Sequence, residues 1–341
     1  MSDNLPIVKI ENLSVNFPAK GGLPFAKKKY IQAVTDVSLE IHKGETFGIV
    51  GESGCGKSTL ANAMIGMVRP SLGKVTFKDK DLFSLKRIEF KEVRRDMQMI
   101  FQDPFSSLNP RFSVYQIISE PMYIRGGFTK KEMENRVLEL LKLVGLDEKD
   151  LYRYPSDFSG GQKQRIGIAR AISLNPDLLI CDEPVSALDV SVHAQILNLL
   201  IDLQEKLNLT YVFISHNLAV VKNVCDRILV MYLGKVMESG STKTIYKNPL
   251  HPYTNALLSA ILDLDIKREK TILKGDIPSP IDPPKGCRFW QRCPYAMRGC
   301  KDIEAPLIEV EPNHFVACHK ISGFTEEQIA QELDRVLVHH V

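Results

Sequence analysis

Residues Gly51-Glu52-Ser53-Gly54-Cys55-Gly56-Lys57-Ser58-Thr59 have the types and order needed to hold a phosphate. Glycines let consecutive backbone N–H groups curl around an anion, and a helix starting there adds the positive end of its dipole. Lys57 would neutralise the β and γ phosphates, and Ser58 would ligate Mg²⁺. The pattern GxxxxGK[ST] demands a strand before it and a helix after it. Glu45-Thr46-Phe47-Gly48-Ile49-Val50 is apolar enough for the strand, and Leu60-Ala61-Asn62-Ala63-Met64-Ile65 has helix-forming composition. The plainer alternative is a Gly-Ser turn before a helix that happens to carry a lysine.

Other segments carry groups that could serve such a phosphate. Met97-Gln98-Met99-Ile100-Phe101 reads as an apolar strand delivering Gln102, which could ligate Mg²⁺ or orient a water. Ser159 precedes Gly160, Gly161 and Gln162 at the start of an expected helix, where a serine N-cap and two glycines would make a second anion site. One nucleotide has no obvious need of two such sites in one chain, so the second is expected to face a nucleotide on another subunit. Leu178-Leu179-Ile180-Cys181 is a continuous apolar strand that ends in Asp182 and Glu183. Asp182 would hold Mg²⁺, directly or through water, and Glu183 would polarise the attacking water as a general base. Ser186-Ala187-Leu188-Asp189 reads as a turn, and Tyr211-Val212-Phe213-Ile214-Ser215 as a buried strand ending at His216. An imidazole there could donate a hydrogen bond to a transferring phosphoryl group.

These groups need a scaffold. Leu13, Val15 and Phe17, then Val37, Leu39 and Ile41, alternate with polar neighbours and predict half-buried strands over residues 7–17 and 36–41. Gly21, Gly22, Pro24 and Lys27-Lys28-Lys29 between them predict an exposed loop. Phe17 and Tyr30 are the candidate stacking partners for a nucleotide base, with a place in a strand core or loop as the alternative for each. Val75-Thr76-Phe77-Lys78-Asp79-Lys80 suggests a strand and turn. From about 112 to 150, Val137, Leu140, Leu141 and Val144 recur at helical spacing and predict a helical insertion.

The 341 residues suffice for two domains, and 44% hydrophobic with 25% charged residues is an ordinary soluble composition. A net charge of +3 makes no case for nucleic acid. No apolar run approaches the roughly 20 residues of a membrane span, and Met1-Ser2-Asp3-Asn4 does not read as a signal peptide. The chain is expected to stay in the cytosol.

GESGCGKST, FQDP, FSGGQ, LLICDEP, SALD and FISH stand here in the order and approximate spacing of the ATP-binding cassette ATPases, and in these motifs the chain resembles the motor subunits of ABC transporters. The resemblance implies an α/β P-loop cassette with a mostly parallel core sheet, an antiparallel β subdomain and a helical insertion of about 103–160. It implies that residues 51–59 bind ATP and that Ser58, Gln102 and Asp182 serve Mg²⁺. Glu183 becomes the catalytic base and His216 the switch histidine. Ser159, Gly160, Gly161 and Gln162 become the signature that closes over ATP on a partner cassette, with Ser186 to Asp189 at the dimer contact. Phe158 departs from the family's more common leucine, an apolar change that should leave the anion-binding backbone intact. The Q-loop joins catalytic core to helical insertion, so Phe105 to Pro110 is where contact with a membrane subunit is expected; the alternative is that Phe105 and Leu108 fold into the helical core.

The tail resembles that of the ATPase subunits of oligopeptide and dipeptide permeases. Asn248-Pro249-Leu250-His251-Pro252-Tyr253-Thr254 follows the cassette, and the prolines of 277–284 suggest a stiff extended linker. The expected division is 1–250 cassette, 251–285 extended linker and 286–341 cysteine-rich extension. Within the group, the Gly-Gly insertion after Phe17 and the phrase PVSALDVSV look most like the F-type subunit, which implies a D-type partner ATPase, two membrane-spanning permease subunits and an extracytoplasmic peptide-binding protein, with no nucleic acid. It implies a peripheral place on the cytoplasmic face of the membrane. The same motor could serve a nickel or other small-solute importer. A soluble ABC ATPase of DNA repair or translation is the more distant reading, and it lacks support because neither a long coiled-coil insertion nor a second cassette is present.

Cys55, Cys181 and Cys225 are scattered singly, as small hydrophobes usually are. Cys287, Cys293, Cys300 and Cys318 are spaced C-x5-C-x6-C-x17-C, and four thiols in a reducing compartment favour a metal over disulfides. Structural zinc usually uses short C-x2-4-C knuckles, which are missing, whereas iron–sulfur clusters accept varied spacings. The family resemblance implies a [4Fe-4S] cluster, structural rather than redox in role; zinc and free or paired cysteines remain the alternatives.

Overall fold

The computed structural model describes residues 5–19, 28–260, 273 and 275–323. The chain begins with strands β1 (Pro6–Pro18), β2 (Tyr30–His42) and β3 (Thr46–Val50), helix α1 (Lys57–Met64), and strands β4 (Leu72–Phe77) and β5 (Lys80–Asp81). Helix α2 (Arg87–Arg95) and strand β6 (Met97–Ile100) lead to helices α3 (Pro104–Ser107), α4 (Val114–Arg125), α5 (Lys130–Leu143) and α6 (Gly160–Ala171). Strand β7 (Leu178–Asp182), helix α7 (Val190–Leu207), strand β8 (Thr210–Ser215) and helix α8 (Leu218–Val224) follow. Strands β9 (Arg227–Tyr232) and β10 (Lys235–Ser241), helices α9 (Thr242–Lys247) and α10 (Pro252–Ser259), and strands β11 (Ile308–Glu311) and β12 (His314–Val316) complete it. No described helix is long and apolar enough to cross a membrane.

Two compact units emerge. The first gathers Ile41–Thr46 and Phe77–Ile214. Its strands β6, β7 and β8 run parallel, with Met97 opposite Leu178 and Leu178 opposite Thr210. All five residues of β7 are buried, as expected of a strand covered on both faces, and each such aliphatic side chain contributes roughly 1.5–3 kcal/mol. Ile196, Leu199, Leu200 and Leu203 form the buried stripe of α7 at helical spacing, and Asn208 stops that helix in the left-handed region at φ 52°. The predicted helical insertion is here: α4 and α5 each start on a capping box, Ser113 with Gln116 and Thr129 with Glu132, and both helices contact α6.

The second unit contains Val8–Glu40, Phe47–Thr76 and the chain from Ser215 onward. Strands β2, β1 and β4 are neighbours in one sheet, where the alternating pattern placed antiparallel strands. In another, β3 pairs parallel with β9, β9 antiparallel with β10, β10 with β12, and β12 with β11. The loop expected at Gly21, Gly22, Pro24 and Lys27 lies outside the described residues.

The tail departs from expectation in two respects. Pro252–Ser259 is helical inside the span 251–285 expected to be extended, because Pro252 occupies the first turn, where it has no N–H to lose, and His251 Nδ1 accepts from Tyr253 N–H at 3.0 Å. The cysteine-rich segment also adds two strands to a cassette sheet, with Glu238 opposite Val316 and Ser239 opposite Phe315. Glu238 fastens this junction. Fully buried at a register shift in β10, its carboxylate accepts from Leu250 N–H at 2.9 Å and His251 N–H at 3.0 Å, and hydrogen-bonds His314 Nε2 at 2.8 Å.

Candidate functional site

The phosphate loop lies in the second unit. β3 ends at Val50, the loop turns through 51–56, and α1 begins at Lys57. Gly56 has φ 106°, and a Cβ there would stand 2.1 Å from the Ala33 carbonyl oxygen, so only glycine fits. As the N-cap it offers no side chain to the first N–H groups of α1. Lys57 is buried, its Nζ donating to the carbonyls of Gly51 at 2.8 Å and Glu52 at 3.0 Å. Cys55 is buried, with burial pushing its thiol pKa up, and its carbonyl accepts from Gly234 N–H at 2.8 Å. Ser53, Gly54 and Ser58 are exposed, and Thr59 is half-buried.

Phe17 near the end of β1 and Tyr30 at the start of β2 are both exposed, so neither belongs to a strand core. His216 directly follows β8 and is exposed.

The remaining expected residues lie in the first unit. Asp182 ends β7 and is buried. Glu183 takes φ 46°, a left-handed conformation costing about 1 kcal/mol for a residue with a Cβ. Its N–H donates to Ile214 at 3.0 Å, while its carbonyl accepts from Ser186 N–H at 3.1 Å and Oγ at 3.0 Å. These bonds hold the backbone in that conformation, and the Glu183 carboxylate accepts from Gln102 Nε2 at 3.0 Å. The chain thus brings together the glutamine and the glutamate, 81 residues apart, that sequence reasoning named separately.

Ser159 caps α6, as its place before two glycines predicts. Ser159 Oγ accepts from Gln162 N–H at 3.4 Å and Ser159 N–H donates to Gln162 Oε1 at 3.0 Å, a complete capping box. α6 starts at Gly160 itself, earlier than Ile166, where the apolar pattern first shows. Both glycines lie at close approaches: a Cβ on Gly160 would sit 3.2 Å from Leu188 and 3.3 Å from Phe105, and one on Gly161 would sit 2.6 Å from Val192 Cγ1. The turn 186–189 therefore packs directly on the signature. Phe158 is buried beneath the Arg153 guanidinium, 4.6 Å from its ring centre. Leu108 is in the core, whereas Phe105 is 53% exposed with Lys163 Nζ 4.7 Å from its ring centre.

The four clustered cysteines line one cavity in the second unit, together with His251, Phe289 and His319 among others. None is in a disulfide. Burial, helped by the neighbouring thiols, raises Cys287 to about 12 and Cys293 to about 11. Among the described residues no three His, Cys, Asp or Glu side chains stand close enough to hold a single metal ion. A four-iron cluster spaces its thiolates more widely than one tetrahedral ion, and four cysteines are its ordinary donor set.

Sequence reasoning missed Arg292 and Tyr253. Both contact Glu52 of the phosphate loop, from 240 and 201 residues away, and no local spacing signals such a contact.

Residues 34–186 match the family model described as ABC transporter, and residues 237–300 match that of the oligopeptide/dipeptide transporter C-terminal region. The chain is 51% identical over 321 residues to the Bacillus subtilis oligopeptide transport ATP-binding protein AppF, covering 93% of this chain and 98% of that one. It is 50% identical over 322 residues to the oligopeptide transport ATP-binding protein OppF of Salmonella typhimurium, covering 92% and 96% respectively. Among solved structures, it is similar to a post-hydrolysis dimer of the ATP-binding cassette MJ0796 bound to ADP and Pi, at 32% identity and TM-score 0.61, over 69% of this chain and 98% of that one.

Proposed function

Because the chain belongs to the ATP-binding subunits of ABC transporters, in their oligopeptide/dipeptide branch, we propose that it hydrolyses ATP to energise import of oligopeptides across a membrane. The observation that carries this reading is similarity over nearly the whole length, tail included, to oligopeptide transport ATP-binding proteins. Nickel and other small solutes are the alternative cargo within the same motor role.

Lys57 and the amides of 51–59 hold the ATP phosphates, with Ser58, Gln102 and Asp182 serving Mg²⁺. Glu183 activates the attacking water, Gln102 orients the Glu183 carboxylate, and His216 donates to the γ-phosphate. Phe17 or Tyr30 stacks on adenine. Residues 159–162 close over a nucleotide on a second ATPase subunit of D type, with 186–189 at that contact, so hydrolysis alternately joins and releases two cassettes. Two membrane-spanning permease subunits, meeting the exposed Phe105 region, receive this motion at the cytoplasmic face, and a peptide-binding protein delivers cargo from the other side. Cys287, Cys293, Cys300 and Cys318 hold a [4Fe-4S] cluster. That cluster, when bound, supplies a structural cross-link between the segments that carry its ligands.

The deciding experiment measures ATP hydrolysis by the assembled transporter with and without a binding protein loaded with short peptides. Stimulation lost in Glu183→Gln is the expected result. Basal hydrolysis without any response to peptide would redirect the cargo to nickel or another solute.

A further inference from the structure

Glu52, the second residue of the phosphate loop, is held at each of its polar groups. Its carboxylate forms a bidentate pair with Arg292, Nη1 to Oε2 at 2.7 Å and Nη2 to Oε1 at 3.1 Å. Its N–H donates to Tyr253 Oη at 2.9 Å, and its carbonyl accepts from Lys57 Nζ at 3.0 Å. The Arg292 side chain is 8% exposed and that of Glu52 26%, so the pair is shielded from solvent. Arg292 also donates to Tyr232 Oη at 3.4 Å and lies over the Tyr232 ring. Tyr232 meets Tyr253 and Phe289 edge to face at centroid separations of 4.8 and 5.3 Å, Tyr253 and Phe289 are tilted at 5.3 Å, and the three rings support the two anchors.

This arrangement links the phosphate loop to the chain that follows the cassette. Arg292 immediately precedes Cys293 in the cysteine-rich segment, Tyr253 is in the helix just after the cassette, and both terminate on one residue of the loop. Displacing Glu52 would carry its carbonyl away from Lys57 and rotate the amide next to it. A phosphate loop works only if its N–H groups and its ammonium converge on one point, so a small rotation at residue 52 should cost affinity.

We propose that Arg292, supported by Tyr253, is a positioning residue for ATP binding: it clamps Glu52 so that the phosphate loop keeps its receptive shape. The tail is thereby part of the nucleotide site's support. The proposal rests on residues 51–59 being the site of ATP.

The test compares full-length wild type with Arg292→Gln, Arg292→Lys, Glu52→Gln and the double variant Glu52→Gln/Arg292→Gln, reading equilibrium binding of a fluorescent ATP analogue, KM, kcat and the thermal midpoint. Each Gln variant should weaken ATP binding about tenfold, the size expected for a shielded charge pair, and raise KM by a similar factor while kcat moves less than about threefold. Arg292→Lys should fall between, because an ammonium cannot make the bidentate contact. The double variant should be no worse than the worse single one. Unchanged ATP affinity in Glu52→Gln overturns the proposal, and a lowered midpoint with unchanged affinity would make the pair only a tether for the tail. If Arg292→Gln fails to fold, Glu52→Gln decides alone, since it leaves the cysteine segment intact. Wild type that binds no ATP would instead remove the reading of residues 51–59 on which the proposal stands.

Discussion

Gln102 Nε2 donates to Glu183 Oε2 at 3.0 Å, joining the end of one parallel strand to the residue that follows its neighbour. Strands β6 and β7 are paired in register, Ile100 opposite Cys181, so each delivers its polar residue just past the same edge. The bond fixes one carboxylate oxygen of Glu183, so the proposed general base sits where Gln102 holds it.

The first prediction follows from that bond. Glu183→Gln should lower turnover by about 10²- to 10⁴-fold, the usual contribution of a general base, while leaving ATP binding intact. Gln102→Ala frees the carboxylate without removing it and also takes away a proposed Mg²⁺ contact, so it should lower kcat by at least about tenfold. Steady-state ATPase assays of the assembled transporter check both; equal losses for the two variants would contradict the division of labour.

Gly161→Ala brings a Cβ to within 2.6 Å of Val192 Cγ1, so the Val192 side chain or the spacing of α6 and α7 must shift. Overpacking of this kind costs about 1–3 kcal/mol. Val192→Ala removes the offending methyls, so the double variant Gly161→Ala/Val192→Ala should recover part of the loss. Thermal midpoints of the two single variants and the double test this, and failure of Val192→Ala to rescue would locate the strain elsewhere.

Much of this site could be read in the sequence, because its parts are local. A strand ending in Asp182-Glu183, a serine before two glycines, and a glycine-rich turn before Lys57 each need only a few neighbouring residues to declare themselves. What could not be read is long-range. Arg292 on Glu52, Glu238 on the N–H groups of 250 and 251, and strands β11 and β12 on β10 depend on contacts that spacing does not encode. The expected linker, 251–285, also began too early: at the first position of a helix proline's missing N–H costs nothing, so Pro252 starts α10.

Glu238 should be among the most destabilising positions to change. Replacing it with leucine removes the acceptor for Leu250 and His251 N–H and the partner of His314 Nε2, all at a fully buried site. Loss of such an anchor costs about 3–5 kcal/mol, whereas Glu238→Gln keeps an acceptor oxygen and should cost roughly half as much. Denaturant unfolding of the full chain separates the two, and a leucine variant as stable as wild type would show that the tail is fastened without this residue.

The last prediction concerns the four thiols that line one cavity. Burial, helped by the neighbouring thiols, raises Cys287 to about 12 and Cys293 to about 11, so in the absence of a cation these two thiols stay protonated at neutral pH. A bound cationic cluster favours their deprotonation. Chain purified without oxygen should therefore carry about four iron and four sulfide per molecule, with a visible charge-transfer band. Cys293→Ser should lose the band and lower the thermal midpoint without abolishing ATP binding, since no cysteine of the cavity belongs to the phosphate loop. One zinc and no sulfide would assign the cavity to a structural zinc ion, and neither metal would leave four free thiols.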